Sequence, residues 1–448
     1  MTSRREFLKN AALGAVAMST GLGGMTAKSY SRIPGSNDRL RVGLIGFSER
    51  ARDTLVPCFL PHTRSLHTEI TAISDIWKRR REEGGAFLKE KTGKDVALVR
   101  NNDELFEKKL VDAVIISTAD FQHALHGAAA VRAGLDAYIE KPLAESMADA
   151  REVLQAVHET KAIVQIGSQR RSGSNYLAAY EYLKSGKFGP ITMVEMKWNV
   201  NEPGRWRRPR LVAAIREEDT DWSRFVMGKT DDPWDPRKYI EYRLFWPYSS
   251  GIPGQWMCHQ IDTVHWFSGL PRPRSVVVNG GVYVWKDGRE NADTMSAVFD
   301  YGPFDDPASG FQVVFSSRLH NSAGGIKEVY YSNGGTLDLD TNRVTPLGGL
   351  GSHEAAAMGM KARIVETYSL ASSEPGKPAT PGTDETTSAH VRNWLECVRS
   401  RTTPRADIMA GYNHSIADIM TIAALRTGER VTFDEKNQEL FAGGKAFR

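Results

Sequence analysis

The first half of the chain alternates short apolar runs with longer stretches in which apolar residues recur at helical spacing. The apolar runs lie at 39–47, 69–75, 111–118, 137–140 and 162–167. Helical patterns lie between them, at 77–91, 122–133 and 146–160. Buried strands that alternate with helices are typical of a parallel sheet covered on both faces. The pattern predicts an α/β domain over 36–165, with ligands at the carboxyl ends of its strands.

The second half has a different pattern, in which β-branched or alternating segments are separated by Gly and Asn turns. These segments lie at 191–200, 275–285, 293–301, 311–320 and 327–332, and helical patterns follow at 387–400 and 410–426. Such segments predict an α+β domain over 166–448, built on a large, mostly antiparallel open sheet. A tryptophan-rich insertion at 198–256 lies within it.

Residues 1–35 predict an export signal and a linker rather than folded structure. Arg4 and Arg5 are followed by Phe7, Leu8 and Lys9, and then by a small-residue apolar stretch at 11–24. This arrangement resembles the twin-arginine signal, and the stretch is too short to span a bilayer as a stable helix. We therefore expect the twin-arginine machinery to deliver the folded protein to the periplasm.

Composition restricts the remaining possibilities. The 448 residues carry a formal charge of +4, which falls to +2 without residues 1–27 because these hold Arg4, Arg5, Lys9 and Glu6. A net charge this small does not indicate a protein that binds nucleic acid. The three cysteines cannot pair completely and fit no metal motif, so neither a disulfide framework nor a metal site is expected. No segment of the mature chain predicts a membrane span.

The turn after the first strand is a partial dinucleotide fingerprint. Gly46, Ser48 and Ala51 occupy the three positions of G-x-G-x-x-G. The tight-turn glycine is present, with Phe47 beside it, but serine replaces the second glycine. Asp75, at the end of the next strand, could accept hydrogen bonds from the adenosine ribose, which favours NAD over NADP. The alternative is that Asp75 caps the following helix.

Two further segments carry a family resemblance. Residues 117–123 (Ser-Thr-Ala-Asp-Phe-Gln-His) and 138–143 (Tyr-Ile-Glu-Lys-Pro-Leu) resemble the signatures of the Gfo/Idh/MocA oxidoreductases. The resemblance extends from about residue 39 to 430. It implies a Rossmann domain, a C-terminal sheet through which subunits form homo-oligomers, and NAD as cofactor. Residues 167–171 resemble the crossing between the domains. The implied cofactor contacts include Thr118, His123, Glu140, Lys141 and Gln169.

The resemblance also implies the catalytic pair. It places Lys141 beside the nicotinamide, where a lysine can hydrogen-bond the hydroxyl that is oxidised. In residues 254–266 it matches His259 and Asp262 to a D-x-x-x-H-x-x-D helix, with Gln255 in place of the first acid. Because glutamine cannot accept a proton, the base role is assigned to His259. Arg171, Gln255, Asp262 and Trp206 are expected to contact substrate together with Lys141 and His259.

The insertion indicates a carbohydrate substrate. It interleaves arginines with Trp198, Trp206, Trp222, Trp234, Trp246 and Trp256. Aromatic faces suit the C–H faces of pyranose rings, although about half of these tryptophans are expected to fill core or an interface. The function favoured is NAD-dependent oxidation of a secondary hydroxyl of a sugar or glycoside, with tightly bound, recycled cofactor.

Three other functions stay open at this point. The first is a glycosidase resembling glycoside hydrolase family 109, which would use transient C3 oxidation and elimination. The second is a sugar-binding protein that has lost its cofactor, for which Ser48 and Gln255 are the signs. The third is a metal enzyme that uses His123, His126, His259 and His265, although no carboxylate or cysteine completes a set.

Overall fold

The computed structural model describes residues 39–306, 308–361, 363–370 and 384–447. The signal predicted within 1–35 lies outside these residues. Within the described ranges, no helix is both long and apolar enough to cross a membrane.

The first sheet is parallel and six-stranded, in the order β3-β2-β1-β4-β5-β6. This is the Rossmann order, and it confirms the predicted parallel sheet. Its strands are β1 Leu40–Ile45, β2 Thr68–Ser74, β3 Ala97–Val99, β4 Ala113–Ile116, β5 Asp136–Ile139 and β6 Val164–Ile166. β4 and β5 are buried along their whole length, as a sheet covered on both faces requires.

Helices connect these strands. The chain leaves β1 through a wide π-helical turn, Ala51–Leu55, which continues as α1 Val56–Phe59. The other helices of this part are α2 Lys78–Thr92, α3 Asn102–Glu107, α4 His123–Arg132 and α5 Met147–Thr160. The side chain of Ser146 caps α5 by accepting a hydrogen bond from the backbone N–H of Asp149.

The second sheet has eleven strands, in the order β14-β13-β12-β11-β7-β10-β9-β8-β15-β16-β17. All its neighbours are antiparallel except β7 and β10, so the predicted large, mostly antiparallel sheet is confirmed. The strands are β7 Met193–Asn199, β8 Ser275–Gly281, β9 Thr294–Tyr301, β10 Phe311–Arg318, β11 Ile326–Ser332, β12 Gly335–Asp338, β13 Arg343–Thr345, β14 Tyr368–Ser369, β15 Val431–Asp434, β16 Glu439–Ala442 and β17 Lys445–Phe447.

The first helix of the second part is α6 Ser174–Lys184. The insertion at 198–256 contains three short helices, α7 Pro209–Ala214, α8 Trp222–Val226 and α9 Pro236–Ile240. A π-helical turn at Pro253–Met257 leads into α10 Cys258–Ser268, and α11 Ser352–Ala357, α12 Glu385–Ser400 and α13 Ile408–Thr427 complete the set described.

Helix α12 returns to the first sheet, although its sequence lies within the predicted second domain. Trp394 of α12 packs edge-on against Tyr138 of β5, with ring centroids 5.8 Å apart. Both side chains are fully buried. The first layer therefore takes one of its covering helices from the far end of the chain, which ties the two sheets together.

Candidate functional site

A cavity of about 960 Å³ lies between the carboxyl ends of the first sheet and the insertion. Gly46, Asp75 and Thr118 line it from strand ends of the sheet, whereas Trp206 and Arg243 line it from the insertion. A parallel sheet of this topology binds ligands at this edge. The cavity is therefore the candidate site, and the insertion forms its second wall.

The turn after β1 brings its backbone unusually close to the end of β4. Gly46 has a φ of +83°, and a Cβ atom there would lie 2.8 Å from Thr118 Cγ2. Ser48 stands where the fingerprint has its second glycine, and its Oγ accepts a hydrogen bond from the N–H of Ala51 (3.2 Å). The serine thus caps the helical turn that begins at Ala51, so its side chain has a local structural use.

Asp75 accepts two backbone hydrogen bonds but is not the cap of α2, whose N-cap residue is Trp77. Its Oδ1 accepts from the N–H of Trp77 (2.8 Å), just ahead of α2, and its Oδ2 accepts from the N–H of Phe47 (2.9 Å). It also lines the cavity. Burial raises the pKa of this carboxyl. Asp75 therefore fixes the turn to the second strand and still presents a carboxylate to the cavity.

These features fit a dinucleotide. The glycine cradle leaves room for backbone to approach a pyrophosphate, and Asp75 suits ribose hydroxyls. Three predicted cofactor contacts also have an unused polar atom: Thr118 Oγ1, His123 Nε2 and Gln169 Oε1 are buried, and no described residue hydrogen-bonds to any of them. Buried polar atoms of this kind normally have partners, so a bound ligand that supplies them is consistent with the arrangement.

His123 has a supporting position rather than one on the cavity wall. It is buried, and its Nδ1 lies 2.7 Å from the carbonyl oxygen of Pro142. Because a carbonyl only accepts, Nδ1 must carry the proton. Burial lowers the pKa of His123, so the ring is neutral. His123 therefore holds the turn carrying Lys141 through Nδ1, whereas Nε2 has no partner among the described residues, and its predicted cofactor contact stays a prediction.

Glu140 and Lys141 extend from the end of β5 toward different partners. Arg50 Nε donates to Glu140 Oε1 (2.8 Å), and although burial disfavours the charged carboxylate, Arg50 and Lys141 lower its pKa. Lys141 Nζ donates to the carbonyl oxygens of Gln255 (2.8 Å) and Gly254 (3.4 Å). Lys141 is thus fixed at the start of the helix that carries His259.

The imidazole of His259 lies at this same place. The residue is half-buried, and its ring stacks on Trp198 with centroids 5.8 Å apart. Burial and the nearby charges of Lys141 and Arg170 lower its pKa well below the usual value, so the imidazole is neutral at physiological pH. No described residue hydrogen-bonds to its ring nitrogens. A neutral, unengaged imidazole beside an ammonium group can accept a proton from a bound hydroxyl.

Gln255 holds a network together. Its amide nitrogen donates to Asp120 Oδ2 (2.6 Å), and its Oε1 accepts from Arg243 Nε (2.8 Å). The hydroxyl of Ser249 also donates to Asp120 Oδ2 (2.5 Å). Gln255 replaces the first acid of the helix motif. The carboxylate of Asp120, in the turn after β4, lies next to this glutamine. This role of Asp120 was missed by the sequence reasoning, although the residue lies inside a motif it singled out.

Arg171 and Asp262 bind each other. Arg171 Nε donates to Asp262 Oδ2 (2.8 Å) and Nη2 to Oδ1 (2.9 Å), in a fork that leaves Asp262 buried. Like Lys141 and His259, neither residue is among those that line the cavity. The pair fixes α10 to the crossing segment, and its predicted contact with substrate stays a prediction.

The tryptophans form a continuous packed column. Trp198 lies parallel to Trp256 at 5.8 Å, and Trp206 packs on Trp256 at 5.4 Å. Trp206 and Trp256 are 7% and 3% exposed, so two of the six tryptophans of the insertion are buried in the core. Trp206 nevertheless reaches the cavity wall, and Trp198 stacks on His259.

Three of the four histidines considered for a metal each contact a different partner. His123 contacts Pro142, His126 Nδ1 contacts Asn102 Nδ2 (2.9 Å), and His265 Nε2 contacts the hydroxyl of Tyr301 (2.8 Å). Among the residues that the structure describes, no group of three or more His, Cys, Asp or Glu side chains is placed to hold a metal ion.

A buried acid lies behind the Lys141 turn. Glu145 Oε1 accepts from the N–H and the hydroxyl of Ser250, both at 3.1 Å, and Oε2 has no partner among the described residues. Burial and the charge of Asp120 raise the pKa of Glu145 to about 8. The folded protein therefore keeps this carboxyl protonated at neutral pH.

Replacing Glu145 by glutamine is expected to stabilise the protein increasingly as the pH rises from 4.5 to about 8. The folded state holds the proton across this window and the unfolded chain releases it, so wild-type stability falls by about 1.4 kcal/mol per pH unit relative to the variant. Glutamine keeps the oxygen that Ser250 contacts. Thermal unfolding of both proteins across this window measures the difference. A difference independent of pH would contradict the raised pKa.

The comparisons with known proteins agree with this geometry. Residues 40–168 match the family model "GFO_IDH_MocA", described as an oxidoreductase family with an NAD-binding Rossmann fold. The inositol 2-dehydrogenase of Agrobacterium fabrum is 25% identical over 217 residues, which are 47% of this chain and 59% of that protein. The 1,5-anhydro-D-fructose reductase of Ensifer adhaerens is 30% identical over 203 residues, 43% of this chain and 57% of that protein. The matched regions therefore span less than two thirds of these relatives.

Solved structures match over more of the chain. The WlbA dehydrogenase of Bordetella pertussis, solved with NADH and UDP-GlcNAcA, has a TM-score of 0.62 at 16% identity, over 89% of this chain and 99% of that one. A levoglucosan dehydrogenase solved with NADH and levoglucosan has a TM-score of 0.63 at 15% identity, over 88% and 99%. At these identities the likeness shows the fold. The first layer, with its glycine turn and its strand-end acid, is therefore similar over residues 40–168 to the NAD-binding Rossmann domain of that oxidoreductase family.

Proposed function

We propose that this protein oxidises a secondary hydroxyl of a sugar or glycoside and uses NAD that stays bound and is recycled. The observation that carries the proposal is the meeting of Lys141 and His259. Lys141 Nζ is bonded to the carbonyl of Gln255, one helical turn before His259, and its charge contributes to the low pKa of that imidazole. A hydrogen-bond donor and a neutral base thus lie near each other beyond the end of β5.

Gly46, Asp75, Thr118 and Gln169 would hold the cofactor, in the positions described above. When bound, NAD supplies the hydride acceptor. Lys141 donates a hydrogen bond to the substrate hydroxyl and stabilises the oxygen as negative charge develops on it. His259 accepts the hydroxyl proton, for which its neutral form is required. Trp198, stacked on His259, limits water access to the imidazole.

Contacts of the insertion support a retained cofactor. Arg208 Nη2 lies 2.7 Å from Glu49 Oε2 beside the phosphate turn, and Arg224 Nη1 lies 2.8 Å from Asp103 Oδ2. Tyr239 packs edge-on against Trp77 at 6.2 Å. A cofactor in the cavity would leave only after these contacts opened. Retention suits a protein that a twin-arginine signal sends to the periplasm folded, where free NADH is not readily recycled.

Two measurements on the purified full-length protein test the proposal. Denaturation should release NAD in an amount close to that of the protein, because the cofactor is retained. Mass spectrometry of products from a panel of sugars and glycosides should then find a ketone with the glycosidic bond intact. Release of the aglycone without net NADH would instead establish the family 109 type of reaction. Protein without NAD that also fails to bind added NAD would contradict both reactions.

A further inference from the structure

One of the insertion's arginines that line the cavity has no carboxylate partner among the described residues. Four arginines of the insertion line the cavity. Arg205, Arg208 and Arg224 each lie within 3 Å of a carboxylate oxygen, those of Glu202, Glu49 and Asp103 respectively. Arg243 forms no ion pair with any carboxylate in the part of the chain that the structure describes. A half-buried guanidinium without a counter-ion is costly, so the site favours an anionic ligand.

Arg243 is nevertheless held in a fixed orientation. Its Nε donates to Gln255 Oε1, and its guanidinium stacks on the ring of Tyr242 at 4.5 Å from the centroid. Gln255 is itself anchored on Asp120. A guanidinium has five N–H donors, and only the one on Nε has a partner among the described residues. The donors of Nη1 and Nη2 remain for a ligand, in the planar fork that matches a carboxylate.

The position of Arg243 assigns this anion to the substrate rather than to the cofactor. Gln255, which its Nε contacts, accepts a hydrogen bond from Lys141 through its backbone carbonyl. Arg243 therefore lies at the Gln255 end of the cavity, next to Lys141, whereas a pyrophosphate would lie at the turn of Gly46 and Ser48. The other cation there is Lys141. In the proposed function it donates its hydrogen bond to the substrate hydroxyl, so Arg243 is the group left to bind the anion.

We propose that the substrate carries a carboxylate, as a uronic acid does, and that Arg243 binds it through Nη1 and Nη2. This rests on the proposed function, since it identifies the substrate class of the same site. Arg243 is then a specificity-determining residue. It anchors the acid group while Lys141 and His259 engage the hydroxyl.

Calorimetric binding to the NAD-loaded, full-length protein tests the assignment. The probes are glucuronate, galacturonate and mannuronate, each compared with its neutral C6 amide. We expect at least one acid to bind roughly 10- to 100-fold more tightly than its amide. Arg243→Gln should remove this preference, and Arg243→Lys should keep part of it, since lysine retains the charge without the fork. Arg216→Gln, an exposed arginine of the same insertion paired with Asp219, should leave the preference unchanged.

Three results would overturn the inference. They are equal binding of every acid and its amide, an unchanged preference in Arg243→Gln, and loss of NAD from that variant, which would assign Arg243 to the cofactor. Melting temperatures identify variants that fail to fold, and Arg243→Lys then supplies the comparison. Reduction of bound NAD is followed separately by absorbance. Acid binding that depends on Arg243 without any reduction would contradict the proposed oxidation and leave the substrate class standing.

Discussion

Replacing Lys141 by methionine is expected to lower the reduction of bound NAD by substrate by roughly 10²- to 10⁴-fold, the contribution typical of a positioned proton donor or acceptor. Methionine keeps the length and most of the apolar stem but removes every donor of Nζ. The substrate hydroxyl then loses its hydrogen bond, and negative charge on its oxygen is no longer stabilised. A single-turnover measurement of nicotinamide absorbance, with the protein's own bound NAD, gives the rate directly.

The same substitution also removes the hydrogen bonds from Lys141 to the carbonyls of Gln255 and Gly254, so a structural effect must be separated. Lys238→Met is the control, because Lys238 is also partly buried and its Nζ is also engaged, here by Asp232 at 2.6 Å. The control should keep its reduction rate. Undiminished reduction in Lys141→Met, or an equal loss in both variants, would remove Lys141 from the reaction.

The fold could be predicted largely because the long elements have strong periodicity. Helices predicted at 146–160 and 410–426 are observed at Met147–Thr160 and Ile408–Thr427. Seven strands were not predicted, because each is at most four residues long and is held by its neighbours rather than by an apolar pattern: β3, β12, β13, β14, β15, β16 and β17. The return of α12 to the first sheet could not be predicted either, since an amphipathic helix does not specify which sheet it covers.

The site shows a similar division. Local motifs were sufficient to place Gly46, Asp75 and Lys141 just after strand ends, because a turn, a strand end and a triplet each have a sequence signature. Partners far apart in sequence were not: Arg50 pairs with Glu140 across 90 positions, and Asp120 contacts Gln255 across 135. Such pairs form because buried charges and amides need partners, and only the fold determines which partner is near. From the sequence, Gln255 was interpreted as a replaced acid of the helix motif. In the structure its amide group connects Asp120 to Arg243.

Replacing Gly46 by alanine is expected to remove the bound NAD and to destabilise the fold, and Gly93→Ala separates the causes. Both glycines have positive φ values, +83° and +72°, so each alanine costs about 1–2 kcal/mol from backbone conformation. A Cβ at Gly46 would also lie 2.8 Å from Thr118 Cγ2 and 3.1 Å from the carbonyl oxygen of Ser117, whereas a Cβ at Gly93 meets nothing within 4 Å. Overpacking of this kind adds about 1–3 kcal/mol, so Gly46→Ala should lower the free energy of unfolding by that much more than Gly93→Ala.

Because the clash pushes the phosphate turn away from the end of β4, only Gly46→Ala should also release less NAD on denaturation. Equal destabilisation of the two variants with full NAD content in both would show that the close approach at Gly46 does not serve the cofactor.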